Sequence, residues 1–158
     1  MKSLAAPVGS VAPDFTLPAV DGRDRSLADC RNHKAVVIFY RGHWCGACRR
    51  QLAALREGVL ELEDCGATVL AISAEPIERA RESAERDGLT FTILSDETLV
   101  AIDRYGVRHV DEPEGRAIAR PAVFLLDRAG IVRYAHIGED PLDRPGLQLI
   151  RLGLETID

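Results

Sequence analysis

The stretch Ala35-Val-Val-Ile-Phe-Tyr40-Arg-Gly-His-Trp44-Cys45-Gly-Ala-Cys48 decides how this chain folds. Its first six residues form a continuous, β-branched-rich apolar run, the pattern of a strand covered on both faces. After Cys48, the residues Leu52, Leu55, Val59 and Leu62 recur at three- and four-residue spacing. They therefore line one face of a helix that ends near Gly66. Thr68-Val-Leu-Ala-Ile-Ser73 repeats the buried-strand pattern. Strand, helix and strand make a βαβ unit, right-handed by the usual rule, with the two cysteines where the first strand gives way to the helix.

Outward from that unit the chain continues to alternate. Pro76 suits a first helical turn, Ile77, Ala80 and Ala84 give an inward face and Gly88 a stop, so residues 76 to 87 read as a helix. Phe91 to Leu94 is a short strand, and Ser95 or Asp96 can cap a helix carrying Leu99, Ile102 and Tyr105 before Gly106. Val123-Phe-Leu-Leu126 and Ile131 to Ile137 flank Asp127-Arg-Ala-Gly130, a length and glycine placement that suit a hairpin with a bulged turn. A last helix is expected over roughly Pro141 to Leu152, presenting Leu142, Leu147, Ile150 and Leu154 inward, with Pro145 and Gly146 weakening its first turn. This order predicts a single α/β domain over residues 1–158, a three-layer α/β/α sandwich with a mixed central sheet.

Composition narrows the class of function. At 158 residues, 46% hydrophobic and 28% charged, the chain can bury a core without disulfide staples. Its net charge of -5 disfavours nonspecific contact with nucleic acid or anionic lipid. Apolar runs such as Ala35 to Tyr40 are far shorter than the ~20 residues a membrane span takes. Lys2 is followed only by Leu4, Ala5, Ala6 and then Pro7, no adequate core for a secretory signal, so a cytoplasmic location is expected. In a reducing compartment, two cysteines with two residues between them suggest catalysis or metal binding rather than a structural bridge.

A thiol at a helix N-terminus meets unpaired backbone N–H groups, which stabilise its thiolate. A fall in pKa from about 8.5 to about 7 raises the thiolate fraction at neutral pH about fifteenfold, of which lower nucleophilicity takes back about fivefold. The larger advantage is that the second thiol is held ready to resolve a mixed disulfide intramolecularly. Arg41, His43, Arg49 and Arg50 surround the pair in sequence; they either lower a thiol pKa or form a solvated charged loop. A zinc site would need four ligands, and the sequence has no second CxxC or HxxxH pair. Cys30 and Cys65 read as buried filler, and His33, His109 and His136 as structural. Trp44 either packs beside the dithiol or covers a strand end.

The segment Val11-Ala-Pro-Asp-Phe-Thr-Leu-Pro18, with Asp21-Gly22 and Ser26-Leu27, resembles the opening of the alkyl hydroperoxide reductase/thiol-specific antioxidant (AhpC/TSA) superfamily. Phe39 to Cys48 with Gln51-Leu52 resembles its atypical peroxiredoxin-like branch, which carries a thioredoxin-style CxxC, and Arg120-Pro-Ala-Val-Phe-Leu-Leu-Asp127 resembles a later strand. The resemblance implies a thioredoxin-like fold with an N-terminal extension, Pro121 as the cis-proline facing the dithiol, and Arg120 close to the active site. Cys45 and Cys48 are then the expected catalytic pair, Trp44 and Arg41 are candidates for its support by their position beside it, and no organic cofactor or metal is required. Aligned without gaps, the family's Pro-x-x-x-Thr-x-x-Cys peroxide site falls on Arg41, Cys45 and Cys48, so its proline and threonine are both replaced. A peroxidase reading makes Cys48 the attacker and Cys45 the resolver; a thioredoxin reading reverses them.

The function so implied is reduction of hydroperoxides or protein disulfides through a Cys45–Cys48 cycle, with thioredoxin or a low-molecular-weight thiol as reductant. Dimers are common in the family, which leaves room for a homodimer. The rivals are a dedicated disulfide reductase without peroxidase activity and a noncatalytic metal-binding or interaction module.

Overall fold

A computed structural model of the chain describes residues 5–111 and 114–157. Five strands form the central sheet in the order β5-β4-β3-β8-β9. Its middle strand is β3 (Lys34–Phe39), buried along its whole length. β4 (Ala67–Ser73) runs parallel to β3, and β5 (Thr92–Ser95) parallel to β4. β8 (Ala122–Leu126) is antiparallel to β3 and forms a hairpin with β9 (Val132–Ile137), with a register shift at Leu125/Leu126. The sheet is thus mixed, as expected.

Alternation along β3 assigns its side chains to two cores. Val36 and Ile38 face α1 (Gly46–Asp64), α2 (Ile77–Asp87) and α4 (Leu147–Glu155), whose inward residues include Leu52, Leu55, Leu62, Ala80, Ala84, Ile150 and Leu154. Val37 and Phe39 face α3 (Val100–Arg104) and the N-terminal segment, through Phe15, Leu17, Ile102 and Tyr105. Phe39, Tyr105 and Phe124 meet with ring centroids 5.0 to 6.0 Å apart. The side chains of Phe39, Tyr105 and Phe124 are fully buried, so this cluster is a large share of the apolar area removed from water.

Three features depart from the sequence reading. The last helix begins at Leu147, not Pro141. Pro145 lacks an N–H and Gly146 is extended at the N-cap, so 141–146 stay irregular and Leu142 points outward, 73% exposed. Leu99 stands before α3 in the left-handed region at φ 67 rather than within the helix, while buried Asp96, one of the two expected caps, does accept the Ile102 N–H at 2.7 Å. Two small hairpins were not anticipated: β1 (Thr16–Pro18) with β2 (Asp24–Ser26), and β6 (Arg108–Asp111) with β7 (Arg116–Ala119). Both are short and rich in charge, without the apolar runs that marked the central strands.

Candidate active site

β3 ends at Phe39 and α1 starts at Gly46, which makes Cys45 the N-cap of the longest helix. The Cys45 sulfur accepts the Cys48 backbone N–H at 3.3 Å, one of the donors a helix leaves unpaired in its first turn. Arg41 adds a guanidinium Nη1 at 3.9 Å from the same sulfur. One turn deeper, the fully buried Cys48 sulfur accepts the Arg41 backbone N–H at 3.4 Å and Arg144 Nη2 at 3.4 Å.

These contacts divide the two thiols. A hydrogen bond from the Cys48 thiol is the main cause that lowers Cys45 to about 5; the Cys48 N–H, Arg41 and Arg144 act in the same direction, against burial. Cys48 is raised for the same reason, because its proton is held by the Cys45 sulfur, and burial adds to this; Arg144 and the Arg41 N–H oppose it. The two directions agree: Cys45 is the more acidic thiol of the pair and Cys48 the less acidic.

The corner between β3 and α1 is fixed by its neighbours. Glu75, buried just after β4, accepts the His43 N–H at 3.1 Å and pairs closely with His43 Nδ1, while the Ser73 hydroxyl donates to the same carboxylate at 3.3 Å. Trp44 leans over Gly42, where an added Cβ would stand 2.6 Å from the indole nitrogen. The guanidinium groups of Arg41 and Arg116 lie over the indole, at 4.8 and 4.7 Å from the ring centroid. Asp111 holds both arginines, at 3.4 and 2.7 Å. Trp44 is therefore a partly exposed cover beside Cys45, held by two cations against its ring.

Arg49 and Arg50 do not reach the sulfurs: Arg49 pairs with Asp87 at 2.8 Å on the outer side of α1, and Arg50 extends from the same helix beside Gly46. The Phe39–Ala122 register places Pro121 opposite the end of β3, where its carbonyl accepts the Gly138 N–H at 2.7 Å. Arg120 is half-buried between β7 and β8, its N–H bonded to the Val107 carbonyl. Among the described residues it is Arg41 and Arg144, not Arg120, whose guanidinium groups lie within reach of a sulfur. Cys30 is buried and pushed up to about 11, chiefly by desolvation, so it stays a thiol. No group of three or more His, Cys, Asp or Glu among the described residues could hold a metal ion.

Sequence reasoning missed Glu75 and Arg144. Arg144 stands 96 positions from Cys48, in a segment read as helix, and no local spacing connects them. A groove of about 280 Å³ between α1 and this segment, lined by Ala47, Arg50, Gln51, Leu142, Arg144 and Leu147, opens beside the dithiol.

A dithiol at the first turn of the helix that follows a central strand, with one thiol made more acidic and the other less, defines a thiol-dependent oxidoreductase of thioredoxin fold. The AhpC/TSA family model matches residues 8–135. Peroxiredoxin Bcp of Escherichia coli K12 is 36% identical over 134 residues, 84% of this chain and 85% of that protein. Thiol-disulfide oxidoreductase ResA of Geobacillus thermodenitrificans is 35% identical over 133 residues, 84% of this chain and 70% of that one. The crystal structure of peroxidoxin BcpB from Mycobacterium tuberculosis superposes with a TM-score of 0.85 over 97% of this chain and 99% of that one, at 21% identity, a likeness of fold. The chain belongs to the AhpC/TSA family and is a peroxiredoxin-like thiol oxidoreductase.

Proposed function

We propose that the protein reduces hydroperoxides or disulfides with Cys45 as the attacking thiolate and Cys48 as the resolving thiol. The observation that carries this reading is position: each sulfur accepts one N–H and one guanidinium, but Cys45 is the helix N-cap and keeps a trace of exposure, whereas Cys48 lies behind it with none, and the hydrogen bond from the Cys48 thiol makes Cys45 the more acidic of the two. In the first step Cys45 sulfur attacks the terminal peroxide oxygen, giving a sulfenic acid and releasing an alkoxide that takes a proton from water. Alternatively it attacks a disulfide sulfur and releases a thiolate. The Cys48 sulfur then displaces hydroxide or the bound thiolate, closing the Cys45–Cys48 disulfide. Two thiols are oxidised and one substrate bond is reduced.

Thioredoxin or a low-molecular-weight thiol in the cytoplasm returns the disulfide to the dithiol under this proposal, and a homodimer is compatible with it. A narrower reading, a disulfide reductase without peroxidase activity, is favoured by Arg41 and Cys45 at the positions of the family's proline and threonine. Parallel assays of hydrogen peroxide consumption and insulin disulfide reduction separate the two. Peroxide turnover supports the broader activity, insulin reduction alone the narrower, and neither contradicts the proposal.

A further inference from the structure

The mechanism leaves one difficulty. Cys48 must attack as a thiolate, yet it is fully buried and in the resting pair it keeps the proton. The groups facing its sulfur come from every element around it: Tyr40 at the end of β3, Cys45 and the Arg41 N–H from the corner, and Arg144 from the segment before α4. Tyr40 is itself held protonated by burial, so it brings no charge. Once Cys45 is a sulfenic acid or a mixed disulfide, its negative charge is gone and the Cys48 proton has lost its anchor. The Arg144 guanidinium, 3.4 Å away, is then the one full charge in contact with the Cys48 sulfur among the described residues.

Arg144 is held there rather than merely near. Its Nη1 donates to Gln51 Oε1 at 2.8 Å on α1, and its Nε to the Pro141 carbonyl at 2.9 Å. The preceding residue, Asp143, accepts His136 Nε2 at 2.8 Å and the Glu139 N–H at 2.9 Å. Gly138 lets this segment close against the sheet: an added Cβ would stand 2.9 Å from Pro121 Cγ and overlap the Asp143 carbonyl. A planar guanidinium anchored at two of its nitrogens presents the third at fixed geometry. Arg144 also lies beyond residues 8–135, the span the family model matches.

We infer that Arg144 is a catalytic residue of the second half-reaction: it stabilises the Cys48 thiolate as Cys48 attacks the oxidised Cys45 sulfur. This rests on the cycle proposed above. In that step the Cys48 proton passes to water, the Cys48–Cys45 sulfur bond forms, and the Cys45–oxygen or Cys45–sulfur bond of the intermediate breaks. The leaving hydroxide or thiolate is protonated from water. Arg144 moves no proton; it lowers the free energy of the charged attacker.

Two measurements test this. The first is the ultraviolet thiolate titration of Cys48 in a Cys45→Ser background, which needs no turnover. Arg144→Gln should move its midpoint upward by about one unit or more, because one charge-assisted hydrogen bond is lost, and Arg144→Lys should restore part of the shift. The second is quenched-flow mass spectrometry of the protein, reduced at the start, mixed with a dithiobis-nitrobenzoate-type disulfide. Arg144→Gln should slow closure of the Cys45–Cys48 bond by about ten- to a hundredfold, with the mixed disulfide on Cys45 accumulating, while its formation slows by less than about threefold. Gln51→Leu, which frees the guanidinium without removing it, should give an intermediate slowing. An unmoved midpoint with unchanged closure overturns the inference even if the cycle operates. A shifted midpoint in a protein that forms no mixed disulfide overturns the proposed function and leaves the Arg144 contact standing.

Discussion

Alkylation by iodoacetamide of the reduced protein, followed at Cys45 itself from about pH 4 to about pH 9, should report a thiolate already formed in mild acid, apart from whatever label half-buried Cys65 takes up at higher pH. The hydrogen bond from Cys48, supported by the helix N–H and by Arg41, lowers Cys45 to about 5, against about 8.5 for a free cysteine. At about pH 5.5, some three-quarters of Cys45 is then ionised, compared with about one part in a thousand of a free thiol. Lower basicity takes back about fiftyfold at a Brønsted slope near 0.5. The net result is a rate about tenfold above a free thiol at pH 5.5 and near parity at pH 7. The sign follows from the direction of the shift: a lowered pKa keeps the thiolate above the midpoint, so the rate falls as pH drops through about 5 and is flat above it. Peptide mass spectrometry assigns the label, and Arg41→Gln should raise the midpoint by about one unit. A Cys45 labelling rate that climbs through about pH 8.5, or label appearing on Cys48 before Cys45, refutes the division of roles.

Other expectations follow from the same structure. Cys48→Ser should retain the first attack and trap a mixed disulfide on Cys45, whereas Cys45→Ser should lose attack altogether; intact-mass analysis after exposure to a disulfide distinguishes them. Phe124→Ala, in the fully buried cluster with Phe39 and Tyr105, should cost about 3–5 kcal/mol in urea unfolding. Gly138→Ala should cost about 1–3 kcal/mol by overpacking, and should slow disulfide closure by displacing the Arg144 segment. Asp87 is held below the usual carboxylate range by Arg86 first and Arg49 second. Its contribution is present above about pH 4 and lost as pH falls below that. With both arginines about half exposed, Asp87→Asn should cost about 1 kcal/mol at neutral pH and nothing in strong acid, read from urea midpoints.

The sequence made the centre of this molecule legible and its margins less so. Strands such as Ala35 to Tyr40 are apolar on both faces because helices and the N-terminal segment cover both, and such runs can be recognised without knowing the partners. The same holds for α1, whose inward stripe and N-terminal cysteines are adjacent in sequence. The strands of the β6–β7 hairpin expose Arg108, Val110 and Arg116 to water and so carry charge instead of a hydrophobic pattern. α4 starts later than the apolar spacing from Leu142 suggests because Pro145 and Gly146 break the first turn. Cys45 and Cys48 were legible because they share one helical turn. Glu75 and Arg144 reach the site through β4 and through the return from β9, and contacts of that range are written in the packing, not in local spacing.

The most direct test of the account is to mix the reduced protein with hydrogen peroxide and, separately, with a low-molecular-weight disulfide, quench with an alkylating agent, and map every cysteine by peptide mass spectrometry. The account predicts a Cys45–Cys48 disulfide with at least one of the two oxidants, while Cys30 and Cys65 remain alkylated thiols. Cys45 and Cys48 both recovered as alkylated thiols after either oxidant, or a bridge that recruits Cys30 or Cys65, would contradict it.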